Sequence, residues 1–417
     1  MGGEVKNMRG LFGAALAAVL VAACGSAIAP PVTGSGYKLY EAATTGSSSL
    51  VAVIDTRSGS IERTLPLGTL AGKHLYSVTL LTLSDIDPVT GSTTRKLQLQ
   101  GYFQLPPITA NGLPGGLSQD GHWLVLQSGS DSRTSQMLVV DTSTMKAGAP
   151  ISLAGSFQFD AISNDGQRIY MVEYASGGSY RVRVYNVPAG HLESYIVVDK
   201  SDPSESMTGL RLSGVPSPDG QWLYSVYARP HQGAFIHALN LSMPYAFCLE
   251  LPGSGYESSS DELQWSLALS PDGSRLFATN GAKGIVAEIK TDGPTVARIA
   301  HIDSPSPVAG SFVQDVEAKE FGSGGAVLSS DGQTLVMTGK TGLIWVDTTT
   351  LRVRSRHLAG WTVWSLGLSP DGWMVYALSD AEMIAELSMA NPGAGTTFNA
   401  SSALPLALIR VDSPQAP

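Results

Sequence analysis

Cysteine is nearly absent from this sequence: the 417 residues include two, Cys24 and Cys248. With so few thiols, the stability of the fold must come from packing and not from disulfide bonds. Charged residues are also scarce, at 15%, whereas hydrophobic residues make up 43% of the chain. A chain with this balance can bury a substantial core, so global disorder is not expected.

Basic clusters are missing as well. The formal net charge is −9, and Lys and Arg occur only in short scatter such as RVRV and RVRSR. A nucleic-acid surface needs clustered Lys and Arg to neutralise phosphates, so nucleic-acid binding is not expected. Glycine and proline are abundant instead, with 46 and 24 residues. Their abundance favours a fold rich in tight turns over one built from long helices.

The amino terminus has the layout of a secretory signal. Lys6 and Arg9 precede an apolar segment, LFGAALAAVLVAAC, that ends in small residues at Cys24. This run is too short to span a bilayer comfortably as a permanent helix. Its end, Val21 to Cys24, resembles the bacterial lipobox, in which the Cys thiol is acylated and becomes the new N-terminus. The alternative is an ordinary signal peptide in which Cys24 is incidental.

From this pattern we predict a lipoprotein signal peptide over residues 1–23, lipidation of Cys24 and a flexible linker over residues 24–35. The protein is then expected outside the cytoplasm, attached to the cell membrane only by its N-terminal lipid. A lipidated Cys24 also leaves Cys248 without a disulfide partner, and Cys248 is interpreted as a small buried apolar residue.

One phrase recurs along the chain: Ser, any residue, Asp and Gly, followed after two residues by an apolar pair. The Asp side chain is expected to cap a turn, and Gly to adopt a positive φ that other residues avoid. A strand rich in β-branched and aromatic residues then runs back. The phrase therefore predicts a β-hairpin, which explains its Ser and Asp without any catalytic role. The glycines of the clear copies are Gly121, Gly166, Gly220, Gly273, Gly332 and Gly372.

A second landmark follows each hairpin, usually Asp or Asn at the end of a further strand, as in VVDTSTM at Asp141. It lies 15 to 20 residues after the glycine, and successive glycines are 36 to 59 residues apart. With two weaker copies at Gly36 and Gly72, this pattern gives eight units of four short strands. We predict an all-β fold, a single β-propeller of eight blades over residues 36–412; seven blades is the alternative, if the unit around Gly72 only embellishes its neighbour.

The two ends of the repeat are complementary. The first unit lacks an apolar first strand, whereas an apolar segment, Leu404 to Asp412, is left over at the carboxyl end. We expect this segment to supply the inner strand of the first blade, because closure of the ring removes the exposed sheet edges of a linear array. Residues 413–417 then form a short tail.

The combination of SPDG, LY and V-x-D-T-x-T resembles the bacterial β-propeller repeat families of the YVTN and TolB type, which are related in architecture to WD-repeat proteins. The resemblance covers nearly all of residues 36 to 412. It implies an envelope or periplasmic setting and binding through one face or the central channel. It says little about activity, because propellers host enzymes, scaffolds and sensors alike.

Motifs that carry chemistry are missing from the sequence. The seven histidines form no H-E-x-x-H pattern and are interpreted as scattered surface residues, including the one close pair, His231 and His237. There is no G-x-S-x-G elbow, no P-loop and no D-x-D-x-D-G calcium loop. We therefore predict no metal, no cofactor and no identifiable catalytic residue.

Two groups of residues are candidates for binding. Trp265 and Trp364 occupy the same repeat position at the start of inner strands, where they either pack between blades or form an aromatic platform for a sugar or peptide. Acidic residues beside these strands could attract a cation or a basic partner, although solvated loops explain them equally well. The acidic candidates are Asp160, Asp261, Glu262, Asp315, Glu317 and Glu320. The insert from Asp303 to Gly325 is the longest interblade connection, which makes it the preferred contact surface.

These observations leave two hypotheses. The first is a non-enzymatic, lipid-anchored β-propeller, expected as a monomer, that binds or scaffolds an envelope protein or polysaccharide. The alternative is a propeller hydrolase or lactonase with acidic residues at the channel mouth, since such enzymes draw catalytic groups from different blades. Convergent acids, His or Asn at the mouth would favour the enzyme, and a lining of Ser, Thr and aliphatic residues the binder.

Overall fold

The structure is a computed structural model that describes residues 34–46, 48–108, 112–128, 133–174, 179–197, 199, 207–302, 325–393, 395–401 and 404–414. Within these ranges the chain forms 33 strands and a single short 3-10 helix, Ser260–Leu263. No helix of the described ranges is long and apolar enough to cross a membrane.

The strands follow one another along the described part of the chain. The first eleven are β1 (Lys38–Thr45), β2 (Ser48–Asp55), β3 (Ser60–Pro66), β4 (Thr69–Ala71), β5 (His74–Thr79), β6 (Thr82–Ile86), β7 (Thr93–Gln98), β8 (Trp123–Gln127), β9 (Thr134–Asp141), β10 (Lys146–Ala147) and β11 (Ile151–Ala154). The next nine are β12 (Phe157–Ile162), β13 (Arg168–Tyr174), β14 (Ser179–Asn186), β15 (His191–Val197), β16 (Met207–Thr208), β17 (Leu210–Pro216), β18 (Trp222–Ala228), β19 (Phe235–Asn240) and β20 (Tyr245–Glu250). The remaining strands are β21 (Trp265–Leu269), β22 (Arg275–Asn280), β23 (Ile285–Lys290), β24 (Thr295–His301), β25 (Ala326–Leu328), β26 (Thr334–Thr338), β27 (Leu343–Asp347), β28 (Arg352–His357), β29 (Val363–Leu368), β30 (Met374–Ser379), β31 (Met383–Ser388), β32 (Thr396–Asn399) and β33 (Leu404–Asp412).

These strands form eight antiparallel sheets, the blades of a β-propeller. Blade 1 consists of β33, β1, β2 and β3, and blades 2 to 8 follow in chain order, beginning at β4, β8, β12, β17, β21, β25 and β29. The predicted all-β propeller of eight blades is confirmed, and the seven-blade alternative is wrong because β4 to β7 form a complete blade around Gly72.

The ring closes through the carboxyl end of the chain. β33 pairs with β1, with Lys38 opposite Asp412, and packs against β29, the inner strand of blade 8. Leu408 and Val411 of β33 are 8% exposed. The predicted closure by Leu404 to Asp412 is therefore confirmed.

The repeated turn shows why its residues recur. In blade 6, the Ser270 hydroxyl donates to Asp272 Oδ1 at 2.5 Å and accepts from the Arg275 backbone N–H at 2.9 Å. Asp272 Oδ1 also accepts from the Ser274 N–H at 3.1 Å, and Gly273 has a φ of +73°. The same Ser–Asp bond, 2.5 to 2.6 Å long, closes the turns at Ser118–Asp120, Ser163–Asp165, Ser217–Asp219, Ser329–Asp331 and Ser369–Asp371. These residues build hairpins, as predicted.

The turns also define the two faces of the ring. Each one directly precedes the second strand of its blade, so all of them lie on one face, here called the turn face. The second strands run from the turn face to the other side, here called the opposite face. Tyr174, the last residue of β13, therefore lies on the opposite face, and Trp373, just before β30, lies on the turn face.

The core lies between neighbouring blades. In blade 6, β22 and β23 are buried along most of their length, whereas the outer strand β24 is mostly exposed. The apolar side chains of one blade pack on the next, as Trp265 of blade 6 does in a cluster with Leu212 and Tyr224 of blade 5. Continuous burial of the second and third strands explains their runs of β-branched and aromatic residues.

Blade 3 departs from the pattern at its inner edge. Two isolated bridges, Gln104 to Gln127 and Leu117 to Leu124, stand where the other blades have an inner strand. Between them a third bridge joins Pro107 to Pro114. The inner strand is thus interrupted by an excursion of the chain, which brings Pro107 and Ile108 beside blade 4.

Candidate binding site

Two cavities meet at blades 4 and 5. The first, here called the channel cavity, has a volume of about 730 Å3 and is lined by residues of blades 2 to 5, including Ser118, Asp160, Arg211 and Pro216. The second, here called the Asp160 pocket, has a volume of about 290 Å3. Its polar and aromatic lining comprises Gln158, Asp160, Tyr174, Tyr180, Arg211 and Tyr227. Both cavities share Asp160 and Arg211, so this pair lies where they adjoin.

Bulges in two inner strands accompany this pair. In β12 the pairing jumps from Phe159 to Ala161, so that Asp160 is left out of the ladder. In β17 the pairing jumps from Arg211 to Ser213, directly beyond Arg211. A bulge bends its strand and re-aims a side chain, and bulges are frequent next to binding sites.

Asp160 and Arg211 form an ion pair across the boundary between blades 4 and 5. Arg211 Nη1 donates to Asp160 Oδ1 at 2.6 Å, and the two side chains are 2% and 19% exposed. The Nε–H of Arg211 is buried and has no hydrogen-bond partner among the described residues. A buried donor without a partner is costly, so this group is a candidate for a hydrogen bond to a ligand.

Two tyrosines form a wall of the pocket. Tyr180 of blade 4 and Tyr227 of blade 5 stack at 5.6 Å between ring centroids, with 27° between the ring planes. Each residue is 3% exposed, and neither hydroxyl has a hydrogen-bond partner within the described part of the chain. Burial raises the pKa of both phenols, so they stay protonated and can donate at neutral pH.

Tyr174 stands at the mouth of the pocket. It is 51% exposed, and its hydroxyl donates to Gln158 Oε1 at 2.6 Å. The Gln158 amide donates in turn to the Pro107 carbonyl at 3.2 Å, which ties blade 4 to the excursion of blade 3. This chain of bonds holds a half-exposed aromatic ring beside the buried polar groups.

His237 packs behind Tyr227, with the two rings edge to face at 6.2 Å. It is 2% exposed, so the interpretation of the histidines as scattered surface residues is wrong for His237. Burial lowers the pKa of His237 to about 4, although the nearby Asp160 carboxylate acts in the other direction. The imidazole is therefore neutral at pH 7.

Trp265 and Trp364 both lie on inner strands, as predicted, but in separate blades. Trp265 is 1% exposed and packs between blades 5 and 6, so its ring presents no face to solvent. Trp364 is half-buried and packs against the cluster between blades 8 and 1. The placement of Trp265 fits interblade packing, and a binding role for either residue stays a prediction.

The three acidic candidates that the structure describes, Asp160, Asp261 and Glu262, are not gathered at one mouth. Glu262 is 1% exposed in the 3-10 helix before blade 6, where it pairs with Lys283 and accepts from the Ser254 N–H at 2.8 Å. Burial opposes ionisation, but the Lys283 ammonium outweighs it and lowers the pKa of Glu262. Asp261 belongs to the same short helix, and its carbonyl accepts from the Asn280 amide at 2.7 Å. Asp160 lies in blade 4, as described above.

Several predicted residues lie outside the described part of the chain. These are Cys24, with the signal and most of the linker, and Asp315, Glu317 and Glu320, which belong to the predicted contact surface between Asp303 and Gly325. Within the described ranges, no three His, Cys, Asp or Glu side chains are grouped so that they could hold a metal ion.

Sequence reasoning missed Arg211, Tyr174, Tyr180 and Tyr227. Arg211 is 51 residues from Asp160, and nothing local marks either residue as the partner of the other. A weak signal exists in the segment Tyr174 to Tyr180, where two tyrosines flank five small residues in the sequence. Tyr174 ends β13 on the opposite face, away from the repeated phrase that organises the sequence.

Comparison with known proteins shows the fold. No protein-family model and no curated protein matches the chain. Among solved structures, dihydro-heme d1 dehydrogenase NirN in complex with DHE is similar over 91% of this chain and 76% of its own, with 12% identity and a TM-score of 0.52. Periplasmic gluconolactonase PpgL of Pseudomonas aeruginosa is 18% identical, over 91% of this chain and 99% of its own, with a TM-score of 0.46. Hydrazine synthase of Kuenenia stuttgartiensis is 13% identical, over 78% of this chain and 98% of its own, with a TM-score of 0.42.

At such low identities the likeness concerns architecture and carries no residue roles. Of these three, NirN alone exceeds a TM-score of 0.5. The comparison therefore agrees with the strand pairing: the chain is a β-propeller.

Proposed function

We propose that this protein is a binding protein of the cell envelope, held outside the cytoplasmic membrane by a lipid on Cys24, and that it takes its envelope partner at the Asp160 pocket. The observation that carries the proposal is the buried Asp160–Arg211 pair at the junction of two cavities, beside polar groups that have no hydrogen-bond partner among the described residues. Such groups orient a ligand by hydrogen bonding in a concave, partly aromatic site.

The ion pair supports binding over hydrolysis. A general acid or base needs a carboxylate oxygen that is free to exchange a proton with the substrate. Arg211 Nη1 instead donates to Asp160 Oδ1 at 2.6 Å, so this oxygen is engaged by a charge-assisted hydrogen bond that fixes the side chain. The pair therefore suits a fixed recognition element.

The position of the pocket in the ring fits an anchored protein. The described chain begins at the boundary between blades 8 and 1, where the Ser35 N–H donates to Glu386 of blade 8 at 2.9 Å. In a ring of eight blades, the boundary between blades 4 and 5 lies across from that point. The Asp160 pocket therefore lies half a ring away from Gly34, the first described residue.

Site-specific photocrosslinking in living cells tests the binding site. We expect p-benzoylphenylalanine at Tyr174, on the opposite face, to crosslink a reproducible envelope component. The same probe at Trp373 is the matched control, because Trp373 is 66% exposed but lies on the turn face. Equal products from both positions, or none from position 174, would overturn the proposed site.

The anchor and the enzymatic alternative need separate measurements. Labelling with a clickable palmitate analogue should mark the native chain but not Cys24→Ala, which should leave the membrane fraction. A propeller hydrolase or lactonase predicts turnover of D-glucono-1,5-lactone that is lost in Asp160→Asn. That result would replace binding with catalysis at the same pocket.

A further inference from the structure

We propose that the Asp160 pocket binds one uncharged sugar ring, either a free monosaccharide or a neutral unit of an envelope polysaccharide. This inference rests on the proposed binding function and deepens it by naming the class of ligand. It is carried by the size of the pocket, by the kinds of polar atoms that line it and by their charge balance.

The volume restricts the ligand to a small one. At about 290 Å3 the pocket lies at the lower limit of ligand sites, which span about 300 to 1,000 Å3. A single ring fits this volume, whereas a folded peptide or a large aromatic cofactor does not. The pocket adjoins the channel cavity at Asp160 and Arg211, so a polysaccharide could place one unit in the pocket and continue past it.

The polar atoms of the pocket match hydroxyl groups. Within the described ranges, Tyr180, Tyr227 and Arg211 each carry a buried donor that has no hydrogen-bond partner, and the phenol oxygens can also accept. Asp160 is a strong acceptor, of which Arg211 engages one oxygen. A sugar hydroxyl both donates and accepts, so a single ring can satisfy several of these groups at once.

The charges of the pocket select a neutral ligand. The carboxylate of Asp160 would repel an acidic sugar, and the guanidinium of Arg211 would repel a cation. Because the two charges neutralise each other locally, neither sign of ligand charge is favoured. The half-exposed ring of Tyr174 at the mouth offers a face for the C–H groups of a sugar.

Saturation-transfer NMR on the full chain provides the first test. The probes are D-glucose, D-galactose, D-mannose and N-acetyl-D-glucosamine, with D-glucuronate and D-galacturonate as charged counterparts. We expect at least one neutral sugar to bind, and both uronates to bind at least about tenfold more weakly than it does. Tighter binding of a uronate would overturn the inference and make the pocket an anion site.

Tyrosine variants connect the binding to this pocket. Tyr180→Phe and Tyr227→Phe each remove a hydroxyl that bonds to no described residue, so their melting temperatures should be unchanged or higher. Their affinity for the neutral sugar should fall by about tenfold or more. Tyr170→Phe is the matched control: its buried hydroxyl donates to the Leu241 carbonyl at 3.0 Å, so it should lose stability and keep its affinity.

The outcomes separate this inference from the function on which it rests. If no neutral sugar binds while Tyr174 still crosslinks an envelope component, the ligand class is wrong and the binding function stands. If both experiments fail, both proposals are wrong. If the sugars bind equally well to the native chain and to both Tyr→Phe variants, the sugar site lies elsewhere and the inference is overturned.

Discussion

Gly166 and Gly332 occupy the same place in two copies of the repeated turn and have the same φ of +68°. Their surroundings differ. A Cβ added at Gly332 would meet nothing within 4 Å, whereas one at Gly166 would lie 2.4 Å from the Trp123 ring. The pair therefore separates the backbone requirement of the turn from the packing of its neighbour.

We expect Gly332→Ala to lower the free energy of unfolding by about 1 kcal/mol, the cost of a left-handed conformation in a residue with a Cβ. Gly166→Ala should cost clearly more, because the Trp123 ring must also shift. Denaturant unfolding of both variants measures the difference. Equal losses would show that the Trp123 ring moves aside freely.

His237 makes the boundary between blades 4 and 5 sensitive to pH. Its pKa is about 4 in the folded protein, against about 6.5 in an unfolded chain. The unfolded state therefore binds more protons between these values, and stability is lost as the pH falls from about 6.5 to about 4.

The native chain should lose on the order of 3 kcal/mol relative to His237→Phe over this range. Thermal unfolding of both proteins between pH 7 and pH 4 measures the change in their difference. Only the change of this difference with pH is interpreted, because the substitution also alters packing and so shifts the stability of the variant at every pH. A difference that does not vary with pH would show that His237 titrates normally.

At the scale of elements, β33 is the strand on which the ring depends. It is the inner strand of blade 1 and the neighbour of β29 in blade 8. Ser401, just before β33, adds a second link, because its backbone N–H and hydroxyl donate to the buried Glu41 of β1 at 3.0 and 2.5 Å.

Deleting residues 404–417 should abolish the cooperative unfolding transition. Burial of Leu408 and Val411 alone contributes roughly 3 to 6 kcal/mol, a large part of the stability of a typical domain. The control deletes only residues 413–417, which follow β33, and should melt like the native chain. Calorimetry measures the unfolding transition of both deletion variants. An unchanged transition after deletion of residues 404–417 would contradict the closure of the ring by β33.

At the scale of the whole molecule, the repeated turns give the ring a common weakness in acid. A hydrogen bond from the Ser270 hydroxyl lowers the pKa of Asp272 to about 2. The equivalent bonds from Ser217 and Ser329 lower the pKa values of Asp219 and Asp331. Because the pKa values of these aspartates are lower in the folded state than in the unfolded state, the ionised side chains stabilise the fold above about pH 4. This stabilisation is lost as the pH falls through the folded-state pKa values.

The melting temperature should therefore fall between pH 4 and pH 2. Asp272→Asn removes the titrating carboxylate of one turn. Its melting temperature should be lower than that of the native chain at pH 4, and the difference should shrink towards pH 2. Glu41 and Glu386 act in the opposite direction, because burial raises their pKa values. Glu41 and Glu386 change the stability only above about pH 4.5, where their carboxyl groups ionise, so measurements below pH 4 largely avoid this contribution. A constant deficit for Asp272→Asn would contradict the assignment.

The sequence alone determined the propeller architecture, the turn chemistry and the closing strand, and it favoured eight blades, which the strand pairing then confirmed over seven. Each follows from local rules that repeat: Gly takes a positive φ, Asp caps the turn, and β-branched and aromatic residues fill the buried strands. The predicted segment Leu404 to Asp412 coincides with β33. It could be predicted because the first repeat unit lacks an apolar inner strand and the carboxyl end has one apolar strand in excess.

The candidate site was decided by the tertiary structure. Of the proposed binding residues that the structure describes, Asp160 lines the pocket. Trp265 is instead buried between blades, and Glu262 is buried and paired with Lys283. The pocket joins side chains from different blades, and the sequence carries no local signal for which strands face each other across a boundary. Interblade packing, together with the bulge at Asp160 and the bulge directly after Arg211, supplies that information.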